Sequence, residues 1–231
     1  MDAFSANPWF KSLPPAEAAA LLDASAPVRL GPGGFLFRRG DPHDGPPGAF
    51  FGLAQGAIKL SILHSNGKEA ILAVIEPGNW FGAGPVLDRR TRGHDAVALA
   101  RCEVRAVGAA AFDALMDRPG FARAVARQMA QRLRLAYEAM GASALLGLRE
   151  RVLGLLAALS RGGVTLAEDG RDTIGASQDT LAMMLGVSRP TINKELQALA
   201  ERGVVSLRYG RVVLNDVPKS WRGDLDRGSD C

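Results

Sequence analysis

Residues 177–201 decide the fold, and they read SQDTLAMMLGVSRPTINKELQALAE. Ser177 suits a helix N-cap, because its hydroxyl can accept a hydrogen bond from an orphan N–H of the first turn. A helix follows over residues 178–185, and Gly186 marks the point where the chain reverses, since glycine alone adopts a positive φ without strain. Val187 fills the turn, and Ser188 caps a second helix that continues to about Glu201. Leu181 and Leu185 point inward on the first helix, and Ala182 is small where the two helices approach. Ile192, Leu196, Leu199 and Ala200 form the buried face of the second. Two short helices with this spacing form a helix-turn-helix.

With that face inward, Arg189, Pro190, Asn193, Lys194 and Gln197 project outward near the start of the second helix. This part of such a helix enters the major groove of double-stranded DNA. Arg189 and Lys194 can donate to guanine, and Asn193 or Gln197 can pair with adenine. Ser188 and Thr191 can hold phosphates through hydroxyls and the amides at the helix N-terminus. Pro190 costs little in the first turn, where its missing N–H has no helical partner. Glu195 occupies a site that is usually apolar, with Leu196 taking over the packing.

Residues 204–207 and 211–214 predict a hairpin whose tip, Arg208-Tyr209-Gly210-Arg211, is a basic wing suited to phosphate contact. Upstream, residues 164–166 and 172–174 flank the turn signal Glu168-Asp169-Gly170, so the C-terminal part reads as a winged helix. The net charge of +4 favours an anionic partner only weakly, with +3 on residues 1–140 and +1 on the rest. From Gly186 to Arg211, however, five Lys or Arg face two Glu, so the positive charge is local to the reading surface.

Further toward the N-terminus the hydrophobic period changes. Ser12-Leu13-Pro14-Pro15 leads into a short helix over residues 16–22. Residues 28–112 carry strand and turn signals. Ile58, Leu60 and Ile62 alternate with Lys59 and Ser61, Asn66-Gly67 supplies a hairpin turn, and residues 70–75 return. A further strand is expected over residues 98–107, with Ala100, Cys102, Val104 and Ala106 on one face. Many short strands with Gly and Pro turns indicate a jelly roll or sandwich. After Asp117-Arg118-Pro119-Gly120 a long helix runs to about Met140. Its residues Ala122, Ala126, Met129, Leu133, Ala136 and Met140 recur at spacings of four and three, a seam suited to a homodimer or to burial within one subunit. Gly141-Ala142-Ser143 predicts a break before a helix over residues 144–159. The fold class is therefore α+β, with a jelly roll over residues 1–115, a dimerisation helix over 116–142 and a winged helix-turn-helix over 143–231.

Composition narrows the function classes. At 47% hydrophobic and 23% charged residues the chain is of ordinary globular type. Residues 1–10 lack the basic and apolar regions of a secretory signal, and Arg149-Glu150-Arg151 interrupt the most apolar region, so a cytoplasmic protein without a membrane span is expected. Cys102 and Cys231 fit neither a disulfide framework nor a zinc site, and Cys102 on an inward face reads as core. A cupin-like metalloenzyme is the alternative from another class, but it needs several converging His where this chain has three scattered ones, His43, His64 and His94. Each of these reads first as a surface residue, with haem ligation as the other option.

The order of β-domain, long helix and winged helix resembles the Crp/Fnr family of bacterial transcription regulators. Leu185-Gly186-Val187-Ser188-Arg189-Pro190-Thr191-Ile192 and the run from Phe51 through Gly52 and Gly56 to Leu60 carry the resemblance. It implies a cyclic-nucleotide-binding-type jelly roll and a homodimer on a near-palindromic site, acting on RNA polymerase. In cyclic-AMP-binding members a Gly-Glu places a carboxylate on the ribose hydroxyl, and an Arg-Ser pair grips the cyclic phosphate. Here the segment is Gly82-Ala83-Gly84-Pro85 and the later pair is His94-Asp95. Ala83 cannot accept the hydroxyl hydrogen bond, and Asp95 places a negative charge beside a phosphate. Iron–sulfur members need N-terminal cysteines, and none precedes Cys102. Arg89, Arg90 and Arg92 read either as an exposed loop of solvated charges or as a holder for a small anionic effector. No cofactor is required. An altered pocket that still binds a cyclic nucleotide is the alternative.

Overall fold

The computed structural model of the chain describes residues 3–160, 173–174, 176–208 and 211–215. Two compact units divide between Ala136 and Tyr137. In chain order the first holds helices α1 (Pro8–Lys11) and α2 (Pro15–Asp23), then strands β1 (Ser25–Leu30), β2 (Phe35–Phe37), β3 (Phe50–Gln55), β4 (Ile58–Leu63), β5 (Glu69–Ile75) and β6 (Trp80–Phe81). Helix α3 (Ala83–Asp88), strands β7 (Asp95–Ala98) and β8 (Cys102–Val107), and helix α4 (Ala109–Met116) follow, and helix α5 (Pro119–Leu145) begins here and runs past the division. The second unit holds α6 (Leu148–Ser160), β9 (Thr173–Ile174), α7 (Gln178–Leu185), α8 (Arg189–Glu201), β10 (Val205–Arg208) and β11 (Arg211–Leu214). Among the described residues no helix is long and apolar enough to cross a membrane.

The eight strands of the first unit form two antiparallel sheets, ordered β1-β8-β3-β6 and β2-β7-β4-β5. Their inner faces meet over Phe37, Phe51, Leu53, Ile58, Phe81, Cys102 and Val104, all buried. Alternation drives this burial. In β8, Cys102, Val104 and Ala106 face inward while Glu103 and Arg105 stay exposed. The Cys102 thiol donates to Ala57 O and Ala100 O, each at 3.3 Å. It packs so closely on Gly56, at φ +93°, that a Cβ there would lie 2.6 Å from the sulfur. Gly67, at φ +79°, supplies the reversal between β4 and β5.

A second core lies outside the first sheet, where α1, α2, α4 and α5 bury Trp9, Phe50, Trp80, Phe112 and Phe121. Phe50 stacks on Trp80 at 5.3 Å, and Trp9 meets Phe121 edge-on at 6.3 Å. Trp9 Nε1 donates to Ala124 O of α5 at 2.8 Å, fixing the N-terminal helix to the long one. Gly52 leaves room for this cluster, because a Cβ there would meet the Trp80 ring at 2.7 Å and Phe4 at 2.9 Å.

The second unit packs α6, α7 and α8 against a sheet ordered β10-β11-β9, over Val152, Leu156, Leu181, Ile192, Leu196, Leu199, Val205 and Val212. This is the expected winged helix. Residues 164–166, the turn signal at Glu168-Asp169-Gly170, Asp172, the wing residues Tyr209 and Gly210, and Cys231 lie outside the described residues.

Three boundaries differ from the sequence reading. The strand expected over 98–107 is two strands in different sheets, and Leu99, Ala100 and Arg101 between them are exposed. Apolar alternation continues across this turn, which hides it in the sequence. Phe112, read as the end of the strand region, sits in the helix α4. No break occurs at Gly141-Ala142-Ser143. Helix α5 continues to Leu145, because a helical Gly costs only about 1 kcal/mol against Ala and its neighbours are strong helix formers. The interruption falls at Leu146-Gly147, where the Glu150 carboxylate accepts from Gly147 N at 2.7 Å.

Two glycines give opposite expectations. Gly52→Ala forces a methyl into Trp80 and Phe4 and is expected to destabilise by ~1–3 kcal/mol. Gly154→Ala, at an exposed position of α6 with nothing within 4 Å of the new Cβ, is expected to stabilise by ~0.5–1 kcal/mol. Urea unfolding midpoints check both signs, and a Gly52→Ala chain with the wild-type midpoint contradicts the packing described.

Candidate nucleic-acid interface and effector pocket

Helix α8 and the turn that precedes it are held by local chemistry. Ser177 Oγ accepts from Thr180 N at 3.1 Å to begin α7, and Gly186, at φ +67°, ends it. Val187 N donates back to Ala182 O at 3.0 Å. Ser188 Oγ then accepts from Thr191 N at 3.3 Å, with Pro190 in the first turn of α8. The Ser188 and Thr191 hydroxyls also share a hydrogen bond of 2.7 Å. Ile192, Leu196 and Leu199 are buried, which turns Arg189, Pro190, Thr191, Lys194 and Gln197 outward and exposed. Asn193 differs from these, being half-buried, with its Oδ1 accepting from Gln178 Nε2 of α7 at 3.0 Å. Arg189 lies 3.5 Å from the Asp179 carboxylate, both well exposed. Arg208 and Arg211 are both exposed and form the last pair of the β10–β11 ladder.

The acidic residue at an apolar position has a partner. Glu195 is ion-paired with Arg149 Nε of α6 at 3.0 Å, and two residues later on α6 Arg151 donates to Leu185 O at the end of α7 at 2.8 Å. Helix α6 therefore anchors both helices of the motif. Only the mismatch at Glu195 signals this in the sequence, since its partner lies 46 residues away.

In the first unit, Gly82, at φ +98°, opens α3, and Ala83 behind it is buried. Gly84 follows in the same helix, half-buried. Arg92 departs from the solvated-loop reading, being only 2% exposed. Its guanidinium donates to Gly82 O at 3.1 Å, Ala49 O at 2.9 Å, Gly48 O at 3.2 Å and His43 O at 3.2 Å. It also lies 4.6 Å from the Phe37 ring centre. Burial lowers its pKa to about 10, partly offset by Asp41, so it remains a cation at neutral pH. Arg89 and Arg90 fit the solvated reading better. Both are exposed, and Arg89 pairs with Asp113 at 2.9 Å.

His94 also departs from the surface reading. It is half-buried with its ring 5.7 Å from Phe37. Burial first, and then the charges of Arg92 and Arg132, lower its pKa against the pull of Asp95, which favours the neutral imidazole. The Asp95 carboxylate accepts from Arg39 N at 2.8 Å. The sequence reading does not single out Arg132 of α5. It is half-buried, burial lowers its pKa to about 10, and it donates to Trp80 O at 2.9 Å. Gln128 donates to the same oxygen at 3.0 Å. Their spacing of four residues on the inward side of a helix is the signal that marks them.

Along α5, Leu133 and Met140 are 54% and 67% exposed, and Ala126 and Ala136 are exposed with them. Ala122 and Met129 are half-buried, and Met129 packs on the aromatic core. Tyr137, outside the predicted seam, is 63% exposed.

Residues 27–119 match the cyclic nucleotide-binding domain family, and residues 150–219 match the Crp-like helix-turn-helix domain family. A cyclic AMP receptor protein of Thermus thermophilus is 32% identical over 211 residues, spanning 91% of this chain and 93% of the relative. A CRP-like cAMP-activated global transcriptional regulator of Mycobacterium tuberculosis is 28% identical over 211 residues, spanning 90% and 92%. The fold is shared with the c-di-GMP responsive global regulator CLP of Xanthomonas campestris, at TM-score 0.70 and 20% identity over 87% of this chain and 99% of that one. A nucleotide-binding-type β-roll, a long helix and a winged helix in that order, with a relative matched along almost its whole length, make this chain a member of the Crp/Fnr family of DNA-binding transcription regulators.

Proposed function

We propose that the protein acts as a homodimer that reads a near-palindromic DNA site with two copies of α8, and that its sensor domain does not answer to cyclic AMP. The reading assigns sensing to residues 1–115, dimerisation to 116–142 and DNA binding to 143–231, with RNA polymerase as the downstream partner in the cytoplasm and no enzymatic activity. The observation that carries it is the outward display of Arg189, Lys194 and Gln197 on the first half of a capped helix beside the basic residues Arg208 and Arg211. Exposed Leu133, Tyr137 and Met140 on α5 support the dimer, because apolar side chains repeated along one helix call for a partner surface. Met129 contributes to the seam from its half-buried position.

For the sensor, Ala83 offers no carboxylate to a ribose hydroxyl, His94 offers one neutral donor where a phosphate needs a charged fork, and Asp95 adds repulsion. Arg92 cannot supply the missing fork without giving up four carbonyl partners. A small anionic effector of another kind, reached by Arg89 or Arg90 at the rim, or DNA binding without any ligand, fits these residues better.

Arg189→Ala is expected to cost ~1–3 kcal/mol at a selected site and to relax preference at one base position. Arg211→Ala should instead weaken binding evenly across sequences and lower the salt slope by about one contact. Site selection from randomised duplex DNA and binding at several salt concentrations separate the two, and unchanged selectivity in Arg189→Ala removes α8 as the reader.

Leu133→Glu sets like charges against each other across an isologous contact and should yield monomers that bind DNA poorly. Sedimentation of the variant as a dimer places the interface elsewhere.

Loss of a charge-assisted contact at ~1.5–3 kcal/mol and of a ribose hydrogen bond at ~1 kcal/mol should weaken a micromolar cyclic AMP affinity by about two to three orders of magnitude. Isothermal titration with cyclic AMP checks this. Low-micromolar binding coupled to tighter DNA binding restores the ordinary sensor role.

A further inference from the structure

We propose that Gln178, on the first helix of the motif, is a specificity-determining positioning residue. Its side-chain amide fixes which end of the Asn193 amide faces a DNA base. The inference rests on α8 as the reading helix. Gln178 is the first residue of α7 and Asn193 the fifth of α8, so their contact spans the crease between the two helices. Gln178 Nε2 donates to Asn193 Oδ1 at 3.0 Å, and both side chains are half-buried, which limits competition from water.

An asparagine that reads adenine uses both ends of its amide at once. Its Oδ1 accepts from adenine N6, and its Nδ2 donates to N7. In this chain the Oδ1 is already turned toward Gln178, so the end of the Asn193 amide left for a base is its Nδ2–H donor. A donor in that position meets acceptors such as guanine O6 and N7, adenine N7 or thymine O4, and it is poorly matched to the cytosine amino group. The adenine pairing that the sequence suggests for Asn193 is thereby narrowed to donor-only reading. Gln197, exposed and further along α8, keeps the freedom to pair with both ends of its amide. Asp179, next to Gln178, lies 3.5 Å from Arg189, so the start of α7 touches both Arg189 and Asn193 of α8.

Substitutions at Gln178 control the direction of this hydrogen bond. Gln178→Lys can only donate, which holds the Asn193 amide as it is. Gln178→Glu can only accept, so Asn193 must turn its Nδ2 to the carboxylate and its Oδ1 to the groove. Gln178→Ala and Gln178→Met remove the bond, the latter while keeping the length of the side chain. Full-length variants, each checked for a cooperative thermal melt, are put through selection on randomised duplex DNA. The readout is the base-preference profile rather than total affinity, since an added charge shifts affinity for all sequences alike.

Gln178→Lys is expected to keep the wild-type preference. Gln178→Glu should move one base position by about tenfold toward a base with a major-groove donor, cytosine or adenine. Gln178→Ala, Gln178→Met and Asn193→Ala should flatten that same position, and the double variant Gln178→Ala/Asn193→Ala should be no flatter than either single one. If Asn193→Ala alters the profile while every Gln178 variant leaves it unchanged, the positioning role is overturned and α8 stands as reader. An unaltered profile in Asn193→Ala overturns base contact by Asn193, and a wild-type protein that enriches no motif overturns α8 as the reading helix.

Discussion

A guanidinium removed from water keeps its charge only if oriented oxygens replace its hydration, and the β-roll unit is arranged around one that does so. Arg92 gathers the carbonyls of His43, Gly48, Ala49 and Gly82 around a single planar fork. The loop before β3 and the residue that caps α3 are thereby fixed relative to one another, with Phe37 and Phe51 facing the cation. The same device recurs at smaller scale. Trp9 reaches Ala124 O, Gln128 and Arg132 share Trp80 O, and in the other unit Arg151 holds Leu185 O. Each is a side-chain donor on one element satisfying a main-chain oxygen of another, a directional link that apolar packing does not supply.

The consequence for ligand chemistry is that the two most enclosed guanidinium groups of the first unit are already engaged. Arg92 and Arg132 remain cations at neutral pH, yet their donors are committed to carbonyls. An anion that approaches either of them competes with the fold, while Arg89 and Arg90 stay exposed. Scaffold and ligand chemistry separate here. On the reading proposed above, Gly82 keeps the backbone turn at φ +98° that opens α3, while Ala83 and the His94-Asp95 pair lack the groups a cyclic phosphate and ribose require.

How much of this the sequence reveals depends on the range of the interaction. The helix-turn-helix is legible because its determinants are local. Caps at Ser177 and Ser188, a positive φ at Gly186 and the inward spacing of Leu181, Ile192, Leu196 and Leu199 all fall within one short window. The two-sheet roll is legible from alternation, but alternation alone cannot show where Ala98 leaves one sheet and Cys102 enters the next. Gly141 misleads because its helix cost is small beside that of its neighbours' propensities. Arg92, Glu195 and Asn193 are misread or incomplete for one reason. Their partners are 10 to 49 residues away, and a chain read in short windows does not show what a charge or an amide will meet.

Cys102 carries one more consequence of close packing. Its sulfur is fully buried in β8, donates to two carbonyls and abuts Gly56 so tightly that a methyl group there would overlap it. A sulfenic acid adds an oxygen atom for which this site has no room, so peroxide attack at Cys102 has to follow separation of the strands. Alkylation obeys the same order of events. Its rate then follows the fraction of time the β-roll spends open, and the thiol serves as a native clock for the breathing of that core.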